Sequence, residues 1–357
     1  MGTGTRQNKS RSFLGIDIGA TRVKLLELDG RPGAIRVSGY AAEPLPAYSV
    51  SDYQIINVDA VGETVGRALK KSGSRNKQAA IAVSGAAVIS KTITMPADMK
   101  DGEIEQQVLL EAPQHVPYPI ENVSLDFQVL GPDPNNDARD EVLLVACRRD
   151  NIEMRTAVLE MAGLKPCLVD VEEYALSNAC ALLQQQMPNA GRDSTVAIFE
   201  MGAQRTRLNV QHDCQSVFTR EAGFGGQLLV DELLGQFELP DSGQLLTQLH
   251  EGRIDVSEFD ESLSSFCDQA AREIEGALQF YFSTQAQTQT LDQILITGGC
   301  ALYPEFMTRL QERLIWPVAA ANPLDGARLG RVAIRNHVEA DAPTLMVAVG
   351  LSMRSMM

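Results

Sequence analysis

The chain lacks several things that would have settled its class at once. It has no C-x-x-C pair: Cys147, Cys167, Cys180, Cys214, Cys267 and Cys300 are scattered, several of them inside apolar runs. There a reduced cysteine behaves as a small core residue, so a reducing compartment is expected. The histidines His115, His212, His250 and His337 lie far apart without ligand spacing, and no dedicated metal site is expected of them. Basic charge is in deficit, 31 residues against 46 acidic ones for a net charge of −15. That balance argues against non-specific binding to nucleic acid or anionic lipid, while leaving room for a local phosphate pocket built from backbone N–H groups. No stretch approaches the length of a membrane-spanning helix. The opening "MGTGTRQNKSRS" has no apolar run of a signal peptide, and Arg6 stands where a myristoylation motif wants Ser or Thr. The expectation is a soluble, cytoplasmic protein that meets a membrane only through a partner.

What is present is a chain of ordinary apolar content, 44% of 357 residues, long enough for two domains. After a first dozen polar residues, expected to be disordered, strands are expected at 13–19, 22–28 and 34–41. Val58, Val61, Val65 and Leu69 recur at helical spacing and predict a helix over 58–72, stopped by Gly73. From about Ala86 the pattern changes. "AVISKTITMP" alternates like a half-buried strand, followed by a helix over 101–114, strands over 123–130 and 141–147, and a helix over 151–162. "GPDPNNDARD" reads as a loop by composition, and the whole block looks inserted. "PNAGRDS", 188–194, is the best linker candidate. The second half adds helices at about 226–237, 242–250 and 259–286. The last of these carries Phe259, Leu263, Phe266, Ala270, Ile274, Ala277 and Tyr281 as a core stripe. A final helix is expected over 345–353.

One layout occurs twice. "FLGIDIGATRVKLLEL" and "TVAIFEMGAQRTRLNVQHDC" each run from an apolar strand through an acid, a Gly-Ala pair and a polar tail into a second strand. Asp17 precedes Gly19-Ala20 as Glu200 precedes Gly202-Ala203. Tight turns without bulky side chains can aim successive N–H groups at phosphate oxygens. A carboxylate at the strand end can order Mg²⁺ through water, since Mg²⁺ keeps most of its hydration shell. Thr21 and Lys24 add a hydroxyl and a charge on the first side. Gly225-Gly226 before a helix offers further N–H groups, and Gly298-Gly299 after the strand "QILIT" lets a flat base or sugar approach the backbone. No Walker or G-x-G-x-x-G fingerprint occurs, which disfavours P-loop and Rossmann enzymes.

These segments resemble the actin-like ATPase superfamily over essentially the whole chain after Ser12. "GIDIGATRVKLLEL" and "VAIFEMGAQRTRLNV" match its two phosphate segments, and "LVDVEEYALSNA" and "MVAVGLSMR" its two connecting helices. "ILITGGCALYPEF" matches its adenosine segment. The phrases "KQAAIAVSGAAVISKTITMP", "VPYPIENVSLDFQVLG" and "VLLVACRRDNIEMR" look most like the PilM family of the type IV pilus assembly machine. The resemblance implies an α/β actin-like fold whose two domains each hold a ribonuclease-H-like core. It implies subdomain IA from 13–85, 164–190 and 343–357, an inserted subdomain IC over 86–163, subdomain IIA from 194–230 and 291–342, and IIB over 231–290. It implies ATP with Mg²⁺ in the cleft between the domains, and a bound partner, the N-terminal cytoplasmic tail of the inner-membrane protein PilN. Through PilN come indirect links to PilO, PilP and the pilus motor, and a place at the inner membrane. Val108, Ala112, Val116 and Pro117 are candidates for the peptide groove.

The chain departs from the superfamily pattern at Glu200, where Asp is usual, and at Leu229, where a hydroxyl residue is common. Glu172 and Glu173 are both candidates for the acid that orients attacking water. ATP bound but turned over very slowly is therefore expected. The rival reading is a sugar or acid kinase of the same superfamily. It would need a general base and sugar-reading residues, and the inserted block shows no cluster of that kind. A membrane-anchored division protein is disfavoured, because "LMVAVGLSMRSMM" has no basic face and no Trp or Phe.

Overall fold

The first strand, Leu-Gly-Ile-Asp-Ile, is buried through its first four residues, as a strand covered on both faces is, whereas the second and third carry charged residues at exposed positions. In the computed structural model β1 (Leu14–Ile18) pairs antiparallel with β2 (Arg22–Arg31), and β2 is followed by β3 (Ala34–Pro44). The structure describes residues 12–356 except 32, 52–53, 243–244, 246–247, 249–252, 285–289 and 331, and except the side chains of 101 and 332–336. The expected disordered segment 1–12 thus lies outside the described residues but for Ser12, as does most of the helix expected at 242–250, His250 included.

The chain divides into two compact units, the first comprising 1–28, 39–175 and 351–357, the second 29–38 and 176–350. In the first, a small hairpin of β4 (Val50–Ser51) and β5 (Gln54–Ile55) leads into α1 (Val58–Ser72). The Asn57 side chain caps α1 by accepting the Ala60 N–H at 3.0 Å, and Gly73 ends it in the left-handed region at φ 69°. β6 (Gln78–Val83) pairs parallel with β1. Val61, Val65, Ala68 and Leu69 of α1 pack with Leu14, Ile16, Val23 and Leu25 in one buried cluster. The stripe expected of α1 is therefore its core face.

The inserted block is a three-stranded antiparallel sheet ordered β7-β9-β8, from β7 (Val88–Pro96), β8 (Val123–Asp133) and β9 (Asn136–Arg148). α2 (Asp101–His115) lies between β7 and β8 in the chain. "GPDPNNDARD", expected as a loop, is mostly strand: only 134–135 turn. Asp133 and Asn136 supply the turn with side-chain acceptors for the N–H groups of Asn135 and Ala138, and backbone pairing carries the rest. α3 (Arg149–Met161) ends at Gly163, φ 71°. β10 (Lys165–Val171) then joins the main sheet beside β6, and α4 (Glu172–Cys180) follows. The division between units falls inside α4, while 188–194, read as a linker, forms a turn in which Gly191 and Ser194 are buried.

The second unit holds a five-stranded sheet ordered β13-β12-β11-β14-β15. Its strands are β11 (Thr195–Met201), β12 (Thr206–His212), β13 (Gln215–Ala222), β14 (Gln293–Thr297) and β15 (Val318–Ala320). The helices are α5 (Gln227–Gln236), α6 (Asp260–Thr284), α7 (Pro304–Arg313) and α8 (Val332–Asp341), with α9 (Met346–Met353) beginning here. A short β16 (Arg328–Leu329) pairs with Arg36 and Val37 of β3. All seven residues of the stripe expected on α6 are buried, in one cluster with Ala197, Phe199 and Met201 of β11. Ile274→Ala in that cluster is expected to cost about 2–5 kcal/mol through lost contacts and the cavity left behind. Leu110→Ala on the exposed face of α2 should stay within about 0.5 kcal/mol. Chemical denaturation of both variants beside the wild type checks the contrast.

Candidate functional site

Both repeats fold into hairpins of the same construction. In the first, the Gly19 N–H donates to the Arg22 carbonyl at 3.0 Å and closes the tip. Asp17 stands opposite Lys24 across the β1–β2 ladder, and the Lys24 Nζ lies 3.0 Å from Asp17 Oδ2. The Thr21 carbonyl accepts the Leu45 N–H at 2.9 Å, which ties the tip down, while the Thr21 side chain is exposed. In the second, the Gly202 N–H donates to Arg205 at 2.8 Å. Glu200 stands opposite Arg207, whose Nη1 lies 2.6 Å from Glu200 Oε2. Among the described residues the amides of Ala20, Thr21, Ala203 and Gln204, at the two tips, make no backbone hydrogen bond. These four groups are what the hairpins can offer an oxyanion.

The glycines of the second unit serve backbone packing before anything else. Gly225 is buried against the second hairpin, and a Cβ there would lie 2.4 Å from the Ala203 carbonyl oxygen and 2.7 Å from that of Gly202. The Gly226 and Gln227 N–H groups donate to Gly202 and Ala203 at 2.9 and 2.7 Å. The expectation that Gly225-Gly226 presents spare N–H groups is corrected here, because the hairpin tip takes those of Gly226 and Gln227. Gly298 is buried at φ 88°, where a Cβ would fall 2.4 Å from the Met201 carbonyl oxygen. Its N–H donates to Pro343 at 2.8 Å, and Thr297 Oγ1 donates to the same carbonyl. Gly299 is exposed, with open space where a side chain would stand. Behind Gly226 sits the Cys300 sulfur, whose thiol burial pushes up to about 12.

The two candidate acids of α4 are placed differently. Glu172 is buried near Arg155, whose pKa burial lowers and the Glu172 charge restores only in part. Glu173 packs over Gly85, where an added Cβ would fall 2.0 Å from its Oε1. At the end of β10, Asp170 pairs with Arg354 at 3.1 Å, and burial raises its pKa.

Of the candidates for a peptide groove, Val108 and Ala112 are buried with Ile93, Met95, Val142 and Leu144, and Val116 with Val123 and Ala146. That expectation is corrected: these three side chains hold the inserted block together, and only Pro117 is exposed. The exposed apolar side chains on this part of the block are Leu109, Leu110 and Tyr118, the last under the Arg148 guanidinium at 5.9 Å.

Sequence reading did not single out Arg205, Arg207, Glu221, Arg354 or Cys300. For Arg207 the signal was available, because Lys24 follows Asp17 by the same seven residues as Arg207 follows Glu200. Two outcomes follow from the packing. Gly298→Ala should destabilise the protein by at least about 1–3 kcal/mol of backbone strain, and Gly299→Ala far less, read by thermal unfolding. Iodoacetamide should label exposed Cys167 in the native protein and Cys300 only after denaturation, read by peptide mass mapping.

Among solved structures, the PilM-PilN type IV pilus biogenesis complex shares the fold, with a TM-score of 0.77 and 22% identity over 97% of this chain and 99% of that one. The ethanolamine utilization protein EutJ from Carboxydothermus hydrogenoformans matches at 0.53 and 16% identity, over 96% and 89%. A diol dehydratase-reactivating factor in nucleotide-free form matches at 0.50 and 10%, over 96% and 99%. These likenesses show an actin-like ATPase fold. The family described as type IV pilus assembly protein PilM matches residues 15–356. Nearly the whole chain is thus accounted for by one family, and the protein belongs to the PilM family of type IV pilus assembly proteins.

Proposed function

We propose that this chain is an ATP-binding scaffold of the type IV pilus assembly machine, which holds the N-terminal cytoplasmic tail of PilN and through it connects the motor platform to PilO and PilP. The repeated hairpin carries the nucleotide half of this reading. In each unit a strand-end carboxylate, a cation seven residues later and an unencumbered pair of tip amides stand together. Each hairpin by itself would offer phosphate oxygens its tip amides, those of Ala20 and Thr21 in the first unit and of Ala203 and Gln204 in the second, and Gly299 of the second unit would admit a base or sugar. Asp17 suits a metal-bound water, since Lys24 engages its Oδ2 and leaves Oδ1. Within this reading the inserted block, 86–163, is subdomain IC, flanked in sequence by the segments of IA, while 194–230 with 291–342 form IIA and 231–290 form IIB.

The partner half rests on family membership and on the PilM–PilN complex among the similar structures. No helix among the described residues is long and apolar enough to cross a membrane, which suits a protein brought there by a partner's tail. Leu109, Leu110, Pro117 and Tyr118 are the side chains of the inserted block that such a peptide can reach. Slow turnover follows from Glu200, whose extra methylene displaces the carboxylate from where Asp would put it.

The decisive experiment titrates the purified protein with a synthetic PilN tail peptide, with and without Mg-ATP. Saturable binding at micromolar or better concentration is expected, weakened at least about fivefold by Leu110→Ala with Tyr118→Ala. If ATP tightens the peptide, linkage requires the peptide to tighten ATP by the same factor. No binding in either condition would overturn the scaffold reading. Phosphate release should stay far below the roughly 1 s⁻¹ of ordinary enzymes.

A further inference from the structure

The cation that faces Glu200 is also held by a second acid. Arg207 Nη1 lies 2.6 Å from Glu200 Oε2, and Arg207 Nε lies 3.3 Å from Glu221 Oε2. Arg205 Nη1 in turn donates to Glu221 Oε1 at 2.5 Å. The strand registers make this a ladder: Glu200 faces Arg207 from β11 to β12, and Arg207 faces Glu221 from β12 to β13. The side chains are between 11% and 28% exposed, so these charges act through a medium less polarisable than bulk water. The two glutamates and two arginines cancel in formal charge.

This arrangement does not fit the metal role expected of Glu200. A hydrated Mg²⁺ asks for oxygen donors in near-octahedral array and gives up its water reluctantly. To reach Glu200 it would have to work against a guanidinium already at ion-pair distance and gripped from its other side by Glu221. Arginine is always charged, and its planar fork suits carboxylates and phosphates alike. Displacing it would strand a partly buried cation with one carboxylate fewer, a change that costs more than an exposed pair returns.

We propose that Arg207, held between Glu200 and Glu221, supplies the positive charge that the second hairpin offers to phosphate, so that this chain binds nucleoside triphosphates without a divalent cation at Glu200. The proposal rests on the nucleotide reading above and departs from it in the metal. Asp17 alone is then left to order a metal-bound water, and one outer-sphere contact adds little affinity.

Isothermal titration of the full chain with ATP, in excess Mg²⁺ and in EDTA, tests it. The wild type should change its Kd by less than about threefold between the two buffers, a difference well under 1.4 kcal/mol. Arg207→Gln should lose at least about tenfold in EDTA and recover part of that in Mg²⁺ once Glu200 is released. Arg207→Lys, which keeps the charge, should retain binding in EDTA and provides a second variant should the first fail to fold by circular dichroism. A wild type that loses more than about tenfold in EDTA overturns the proposal and leaves the nucleotide reading standing. So does an Arg207→Gln protein that binds in EDTA as the wild type does. Absence of ATP binding in both buffers overturns the nucleotide reading and this proposal with it.

Discussion

The second hairpin can meet the start of α5 only because Gly225 has no side chain. Its backbone comes so near the Gly202 and Ala203 carbonyls that a methyl group would overlap both oxygens. That approach lets the first amides of α5 donate to the hairpin tip, which answers two needs at once. A helix N-terminus always has N–H groups without intrahelical partners, and a tight turn has outward carbonyls. Gly298 repeats the arrangement behind the strand end, pressed against the Met201 carbonyl and bonded to Pro343. Four chain segments thus converge around the end of β11 through backbone contacts. The tip amides of Ala203 and Gln204 keep their positions because the carbonyls beside them are pinned.

Charge is arranged on the same local scale. The chain is strongly acidic, with a net charge of −15, yet each candidate carboxylate at a strand end has a cation on the neighbouring strand, as Asp17 has Lys24 and Glu200 has Arg207. Cross-strand pairs of opposite charge stabilise a hairpin modestly, and partial burial strengthens them. They also decide what the carboxylates can do. Each acid is engaged through one oxygen, Asp17 through Oδ2 and Glu200 through Oε2, and the cation on Glu200 is itself held by Glu221. In the second hairpin Arg205 and Glu221 extend the pair into a ladder of four charges.

Much of this was legible in the linear chain. The stripe from Phe259 to Tyr281 is core because a helix that repeats apolar residues every three or four positions must bury one face. Gly73 ends α1 through local chemistry that needs no tertiary partner. The segment 131–140 differs from its expectation because Pro, Asn and Asp favour turns, yet here all but the two tip residues lie in strands. Val108, Ala112 and Val116 were misplaced for a related reason: sequence shows that a face is apolar without showing whether a sheet already covers it.

By itself, the sequence determined the two strand-turn-strand repeats, the acid and glycine positions within them, and the family, since all of these are matters of order and spacing along one chain. The tertiary structure decided which N–H groups remain for a ligand, which glycines exist for packing, and which cation each acid holds. Those depend on approaches of a few ångströms between segments far apart in sequence. A hydrogen bond or ion pair is made or lost over about an ångström, a distance that no spacing of residues along a chain records.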